Sequence, residues 1–208
     1  PEDFFRTMED ASAFDLDWYW RGWFYTTDWV DIGVKEVKKY YVSPKPNKEL
    51  RTIMENRGLT EADLPPLVYM VEEGSEDYDE SLKEGDLIEN STTLKEYVMD
   101  NLSPEERSQL KTPKYFYEVV FDKPGGLVMP LIVEYSYADG TNELVKYPVQ
   151  VWRKNDAEVK KVIATDKEIV GITVDPNQET ADIDTSNNSW PKKIAESDFD
   201  SFKSKTKG

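Results

Sequence analysis

Aromatic side chains are concentrated near the N-terminus of this chain. Residues 15–32, DLDWYWRGWFYTTDWVDI, contain four of the six tryptophans, two tyrosines and a phenylalanine. Apolar residues recur every three or four positions here, which predicts an amphipathic helix over residues 1–25 with a break near Ala13. Asp15 or Asp17 would cap the second helical piece. Three interpretations of these aromatic residues remain: a core, a carbohydrate platform and a docking surface. A stripe at helical spacing is typical of packing.

The middle of the chain is acidic and has clear helix signals. A strand is predicted over residues 29–42, followed by a helix over residues 48–57 that ends at Gly58. Between residues 72 and 106 there are 13 acidic residues and two lysines, and the stretch 72–90 predicts a solvated loop. The segment SPEE at residues 103–106 matches a capping box with proline at the first helical position.

From Lys114 onward the hydrophobic period changes to two, which is typical of strands. Strands are predicted over residues 114–122 and 129–153, the latter folded into a hairpin at Asp139-Gly140. A second hairpin is predicted through residues 165–167. Short strands separated by regular turn signals predict an immunoglobulin-like β-sandwich.

These patterns predict an α+β chain in four consecutive segments. The first is an aromatic-rich helical segment over residues 1–35, and the second is an acidic, partly helical insertion over residues 36–113. The β-sandwich would occupy residues 114–191, and residues 192–208 would form a flexible tail.

The composition excludes several classes of function. The chain has no histidine and no cysteine, so it cannot by itself build a usual zinc site or a nucleophile–histidine pair. Its net charge of −16 argues against binding to nucleic acid or to an anionic membrane surface. No apolar run approaches the roughly 20 residues that a membrane helix needs. We therefore expect no catalysis by this chain alone and no cofactor in it.

A calcium site is the one metal candidate in the sequence. The segment DIDTSNN, residues 182–188, begins with the alternating oxygen ligands of a calcium loop. The sixth position is Asn187 instead of glycine, and the twelfth is Lys193 instead of glutamate. These departures favour an Asx-rich turn. The candidate calcium ligands are Asp182, Asp184, Ser186 and Asn188.

The N-terminal segment resembles a known family. FFRTMEDASAFDLDWYWRGWFYTTDWVDI is similar to the end of the catalytic region in M1-family zinc metallopeptidases, the gluzincin aminopeptidases, and most of all to the large versions common in Bacteroidetes. YSYADGTNELVKYPVQVWRKN and the segment ending in DPNQETADIDTSNNSWP are similar to the β-domain that follows in those proteins. The resemblance covers about residues 1–35 and 114–191.

The resemblance implies a non-catalytic role. The family's chemistry uses an H-E-x-x-H helix and a downstream glutamate that bind zinc, and this chain has no histidine on which to place them. The chain would be the C-terminal part of such an enzyme, with zinc held upstream of Pro1 in a parent protein exported to the periplasm or cell surface. The partner would be the catalytic domain of that parent, and the isolated chain would self-associate. The implied docking residues are Trp18, Tyr19, Trp20, Trp23, Phe24 and Trp29.

The alternative function is a stand-alone carbohydrate- or protein-binding module. Such a module would expose a row of aromatic side chains on the β-sandwich or its loops. A bracing domain would instead expose its apolar patch on the N-terminal helix.

Overall fold

The computed structural model describes residues 1–60, 63 and 68–192. Within them, long connections join helices and antiparallel pairs of strands. The predicted tail, apart from Lys192, lies outside the described residues. The predicted α+β class is confirmed. The helices are α1 (Glu2–Ser12), α2 (Asp17–Tyr25), α3 (Lys48–Arg57), α4 (Thr92–Asn101) and α5 (Pro104–Gln109). The strands are β1 (Gly33–Ser43), β2 (Tyr69–Glu72), β3 (Tyr115–Asp122), β4 (Leu131–Tyr137), β5 (Asn142–Tyr147), β6 (Glu158–Thr165), β7 (Ile169–Val174) and β8 (Ser189–Trp190).

The N-terminal segment forms two helices, as the periodicity predicts. Ala13 ends α1 in the left-handed conformation, with a φ of 56°. The predicted capping of α2 is wrong in detail, because Leu16 occupies the N-cap position and makes no side-chain cap. Asp17 is the first helical residue, and Asp15 accepts its backbone N–H through Oδ1 at 3.1 Å.

The other helix signals are confirmed. Asn47 caps α3 by accepting the N–H of Leu50, and Gly58 ends the helix with a φ of 64°, a conformation that favours glycine. In α5, Ser103 accepts the N–H of Glu106 while the Glu106 carboxylate accepts the N–H of Ser103, which completes the capping box.

The strands form two four-stranded sheets. The first has the order β2-β1-β3-β6, with β1 and β2 antiparallel, and the second has the order β5-β4-β7-β8 with antiparallel pairs throughout. The hairpin between β4 and β5 is confirmed, since Leu131 pairs with Tyr147 and Ser136 with Asn142. Gly140 takes a φ of 81° in its turn.

Two strand predictions are wrong. The strands β6 and β7 belong to different sheets, so residues 165–167 connect two sheets and do not close a hairpin. The segment Val149–Arg153, expected as strand, is a short 3₁₀ helix after Pro148. Its Trp152 is buried, and the indole Nε1 donates to the carbonyl of Met129 at 2.9 Å.

The chain divides into two compact units that interleave along the sequence. One contains Pro1–Lys35, Val120–Lys160 and the described residues from Ile169 onward. The other contains Glu36–Val119 and Lys161–Glu168. The four consecutive segments expected from the sequence are a different division, which stays a prediction.

Each unit has its own buried apolar residues. In the first unit Leu131, Val133 and Ile172 are fully buried. In the second, Tyr41 and Val71 pack with Leu82, which lies in a short 3₁₀ helix over Glu80–Lys83. The stretch 72–90 is therefore not a purely solvated loop, because Leu82 is buried within it. In the described part of the chain, no helix has the length and apolarity that crossing a membrane requires.

Candidate docking surface

The two N-terminal helices pack on each other through aromatic rings, with Trp20 at the centre. The Trp20 ring stacks on Phe5, with centroids 4.5 Å apart and planes 17° from parallel. Its edges meet Phe4 at 5.9 Å, Tyr19 at 5.1 Å and Phe24 at 5.6 Å. Aromatic pairs at these separations are favourable beyond the area that they bury. Trp20 is consequently a packing residue, only 7% exposed.

Helix α2 also contacts the rest of its own unit at close range. A Cβ atom on Gly22 would lie 2.8 Å from Cδ2 of the buried Leu127, so glycine permits this approach. Just after the helix, the N–H of Trp29 donates to Gly125 at 3.0 Å, and the N–H of Leu127 donates to Trp29 at 3.1 Å. The backbone at Trp29 is thereby fixed while its side chain stays exposed.

The outward side of this helix pair is rich in exposed aromatic rings. Trp23 is 40% exposed, Phe24 55% and Trp29 48%. Within the described residues, the exposed aromatic side chains are Phe4, Phe14, Trp23, Phe24, Tyr25, Trp29 and Tyr97. All but Tyr97 lie in the N-terminal segment, and none lies on a strand. We call the apolar side of α1 and α2, together with Trp29, the docking surface.

The predicted docking residues divide into three groups. Trp23, Phe24 and Trp29 are exposed, Trp18 and Tyr19 are half-buried, and Trp20 is buried. Sequence reasoning missed Phe4 and Met8, which are 55% and 42% exposed. Their spacing of four residues on α1 was the available signal, because it places both on one helix face. Phe14 and Tyr25 were also missed, and no periodic signal marks Phe14.

A shallow apolar groove of about 450 Å³ lies on the docking surface. Both helices contribute to it, together with Leu16 of the turn between them. Its walls are almost entirely hydrocarbon and aromatic, so it suits apolar side chains. The lining residues are Phe4, Met8, Leu16, Trp18, Tyr19, Trp20 and Phe24.

The indole N–H of Trp20 has no hydrogen-bond partner although the nitrogen is buried. Buried indole N–H groups usually find an acceptor, because an unpaired buried donor loses its hydration without compensation. The helix pair therefore contains one buried donor that has no acceptor.

Three carboxylates converge at the junction of the helices. An oxygen from each of Glu9, Asp15 and Asp17 lies within 4.8 Å of the others. Glu9 accepts the N–H of Leu16 through Oε1 at 3.1 Å. Among the described residues none of the three forms an ion pair, although Arg6 and Arg21 line the same cleft as Glu9 and Asp17. We call these carboxylates the acidic triad.

The structure places the four calcium candidates in one hydrogen-bonded loop. Asp182 Oδ2 accepts the N–H of Ile32 and the amide of Asn188, both at 3.2 Å. Asp184 accepts the N–H and hydroxyl of Ser186 at 3.0 and 2.6 Å, and these bonds lower the pKa of its carboxyl. Asp182 and Asn188 are thus brought together, and Asp184 and Ser186 form a second pair. Calcium binding here stays a prediction.

The comparisons with known proteins identify no relative. No family model matches the chain, and neither a curated protein nor a solved structure is significantly similar to it. The resemblance to M1 peptidases is accordingly a prediction from the sequence.

Proposed function

We propose that this chain is the non-catalytic C-terminal region of an M1-like zinc metallopeptidase. It braces the catalytic domain of the same polypeptide through the docking surface and shapes access to the substrate groove. The proposal includes an immunoglobulin-like arrangement of the β-rich part and export of the parent to the periplasm or cell surface.

The distribution of exposed aromatic side chains carries the proposal. Six of the seven exposed aromatics in the described residues lie between Phe4 and Trp29, on or beside α1 and α2. Burying one large apolar side chain contributes roughly 1.5–3 kcal/mol, so leaving this cluster in water is costly unless another surface covers it. A bracing domain provides such a surface.

The same distribution distinguishes this function from the alternative. A carbohydrate-binding module would offer aromatic platforms on its strands or loops, whereas among the described residues beyond Trp29 no strand and no loop exposes an aromatic ring. Trp152, on the β-rich part, is 3% exposed and has its N–H bonded to Met129. Neither the ring nor the N–H of Trp152 is available to a sugar.

The zinc of the proposed parent does not fit the residues of this chain. Catalytic zinc in this family is held by two histidines and a glutamate, and the sequence contains no histidine. The acidic triad offers oxygen ligands only, a set that suits hard cations better than zinc. The proposed role is therefore structural, and no catalytic step is assigned to this chain.

The deciding experiment is to sequence the gene upstream of the codon for Pro1. We expect an H-E-x-x-H motif followed by a downstream glutamate within the same reading frame. A start codon and signal peptide directly upstream of Pro1 would overturn the proposal.

A second test uses the full-length parent and keeps this chain in its own context. Replacing Trp23 and Phe24 together by alanine should lower the melting temperature of the peptidase domain, because the covering contact is lost. The matched control is Tyr97→Ala, which removes an exposed aromatic ring from α4. Equal effects of the two variants would contradict docking through α2.

A further inference from the structure

We infer that the docking surface takes a partner segment that presents an arginine or lysine side chain to the acidic triad, beside apolar side chains that enter the groove. The inference rests on the proposed function and specifies the chemistry of the partner surface. Two observations carry it: the charge of the acidic triad and the apolar groove beside the triad.

The first observation is the unpaired negative charge of the acidic triad. Three carboxylates with oxygens within 4.8 Å repel one another, and among the described residues none is neutralised by an ion pair. A guanidinium or ammonium group placed between them would relieve that repulsion and bond to more than one carboxylate. The site thus fits a single cationic side chain.

The second observation is the position of the triad beside the apolar groove. Leu16 and Trp18 line the groove, and they alternate in sequence with Asp15 and Asp17. Glu9 lies against this turn through its bond to the N–H of Leu16. A cation on the triad is therefore adjacent to apolar side chains in the groove.

Charge also argues against a second copy of this chain as the natural occupant. Residues 1–31 contain eight acidic and two basic residues, so two docking surfaces brought face to face would repel each other. The complementary partner has an apolar centre and a basic rim.

The test measures binding of two probe peptides to the 208-residue chain by tryptophan fluorescence. Both are capped helical peptides of about 15 residues with the same leucine face, flanked by arginines in one and by glutamates in the other. We expect the arginine peptide to bind at least about tenfold more tightly, and less tightly as the salt concentration rises.

Two variants that each remove three negative charges distinguish the effect of the acidic triad from the effect of the chain's net charge. Glu9→Gln, Asp15→Asn and Asp17→Asn together remove three charges but keep the oxygen acceptors that the local backbone uses. The control combines Glu84→Gln, Glu89→Gln and Glu96→Gln, three exposed residues of the other unit. We expect the triad variant to lose about tenfold in affinity for the arginine peptide and the control less than about twofold.

Each other outcome has a distinct meaning. Equal losses in the two variants would overturn the inference, because binding would then reflect net charge alone. Equal binding of both peptides would overturn it while leaving an apolar docking surface, and binding of neither would contradict the proposed function as well. Displacement of the arginine peptide by about 1 mM calcium from the wild-type chain, but not from the triad variant, would show a metal site instead.

Discussion

At the scale of single residues, two buried tryptophans differ in whether their N–H is paired. The Nε1 of Trp152 donates to the carbonyl of Met129, whereas the Nε1 of Trp20 has no partner. Trp152→Phe removes the hydrogen bond to the part-buried carbonyl of Met129, and Trp20→Phe removes a donor that was already unsatisfied. We expect Trp152→Phe to lower the free energy of unfolding by about 0.5–1.5 kcal/mol more than Trp20→Phe does. Urea denaturation of the two variants measures the difference, and equal losses would contradict the hydrogen-bond argument.

The sequence predicted the aromatic helix pair better than it predicted the exposure of the individual side chains on it. Trp20 and Trp23 are three positions apart in one aromatic run, yet they are 7% and 40% exposed. The difference comes from the rotation of α2, which is set by Phe5 on one side and by Leu127 against Gly22 on the other. The contact with Leu127 joins residues far apart in sequence, so local periodicity contains no information about it.

At the scale of secondary-structure elements, the capping box at the start of α5 predicts a pH dependence. The N–H and hydroxyl of Ser103 hold the pKa of Glu106 below its usual value, because they favour the charged carboxylate. A lowered folded-state pKa means that the stabilisation is complete above the unfolded value of about 4.3 and is lost as the pH falls through the folded value. We expect the Glu106 carboxyl to titrate below about pH 4.3 in an NMR titration.

The control for this titration is Glu106→Gln, which retains an oxygen acceptor but has no titrating carboxyl. In the wild-type chain the Ser103 amide resonance should shift with the Glu106 titration, since the two groups are bonded at 2.8 Å. In the variant that shift should disappear. A Ser103 amide that still shifts in the variant would show that another group is responsible.

The loop before β8 provides a second prediction at this scale. The Asp182 carboxylate accepts bonds from Ile32, Asp184 and Asn188. Among the described residues, the Asp184 carboxylate accepts bonds from Ser186 alone, in an exposed turn. We expect Asp182→Ala to lower the free energy of unfolding by about 2–4 kcal/mol and Asp184→Ala by less than about 1 kcal/mol. Thermal and urea unfolding should give the same ranking in EDTA and in calcium, because these bonds lie within the chain. A loss that occurs only in calcium would instead support the metal interpretation.

Local signals predicted the elements of this chain well, and long-range pairing poorly. The bounds of α3, the capping box and the β4–β5 hairpin each depend on residues within one short segment. The connection over residues 165–167 has the same kind of turn signal, yet β6 and β7 join different sheets. An alternating pattern indicates a strand and its buried face, but the partner strand depends on segments elsewhere in the sequence.

At the scale of the whole molecule, an exposed apolar surface coexists with a net charge of −16. The apolar surface favours association, and the charge opposes association between identical copies. Salt screens the charge over a Debye length of about 10 Å at 0.1 M and about 3 Å at 1 M, while leaving the apolar contribution in place. The balance between monomer and oligomer is therefore expected to depend on ionic strength.

We expect the isolated chain to be mainly monomeric at about 20 mM salt and to self-associate increasingly toward about 1 M, because screening removes the repulsion between acidic N-terminal segments. Sedimentation velocity across this range gives the weight-average mass. Trp23→Ala combined with Phe24→Ala should suppress the rise, whereas Tyr97→Ala, an exposed ring on α4, should not. This dependence is opposite to that expected for the arginine peptide, whose binding weakens with salt. A mass that is independent of salt, or a rise that the double variant leaves unchanged, would contradict association through the docking surface.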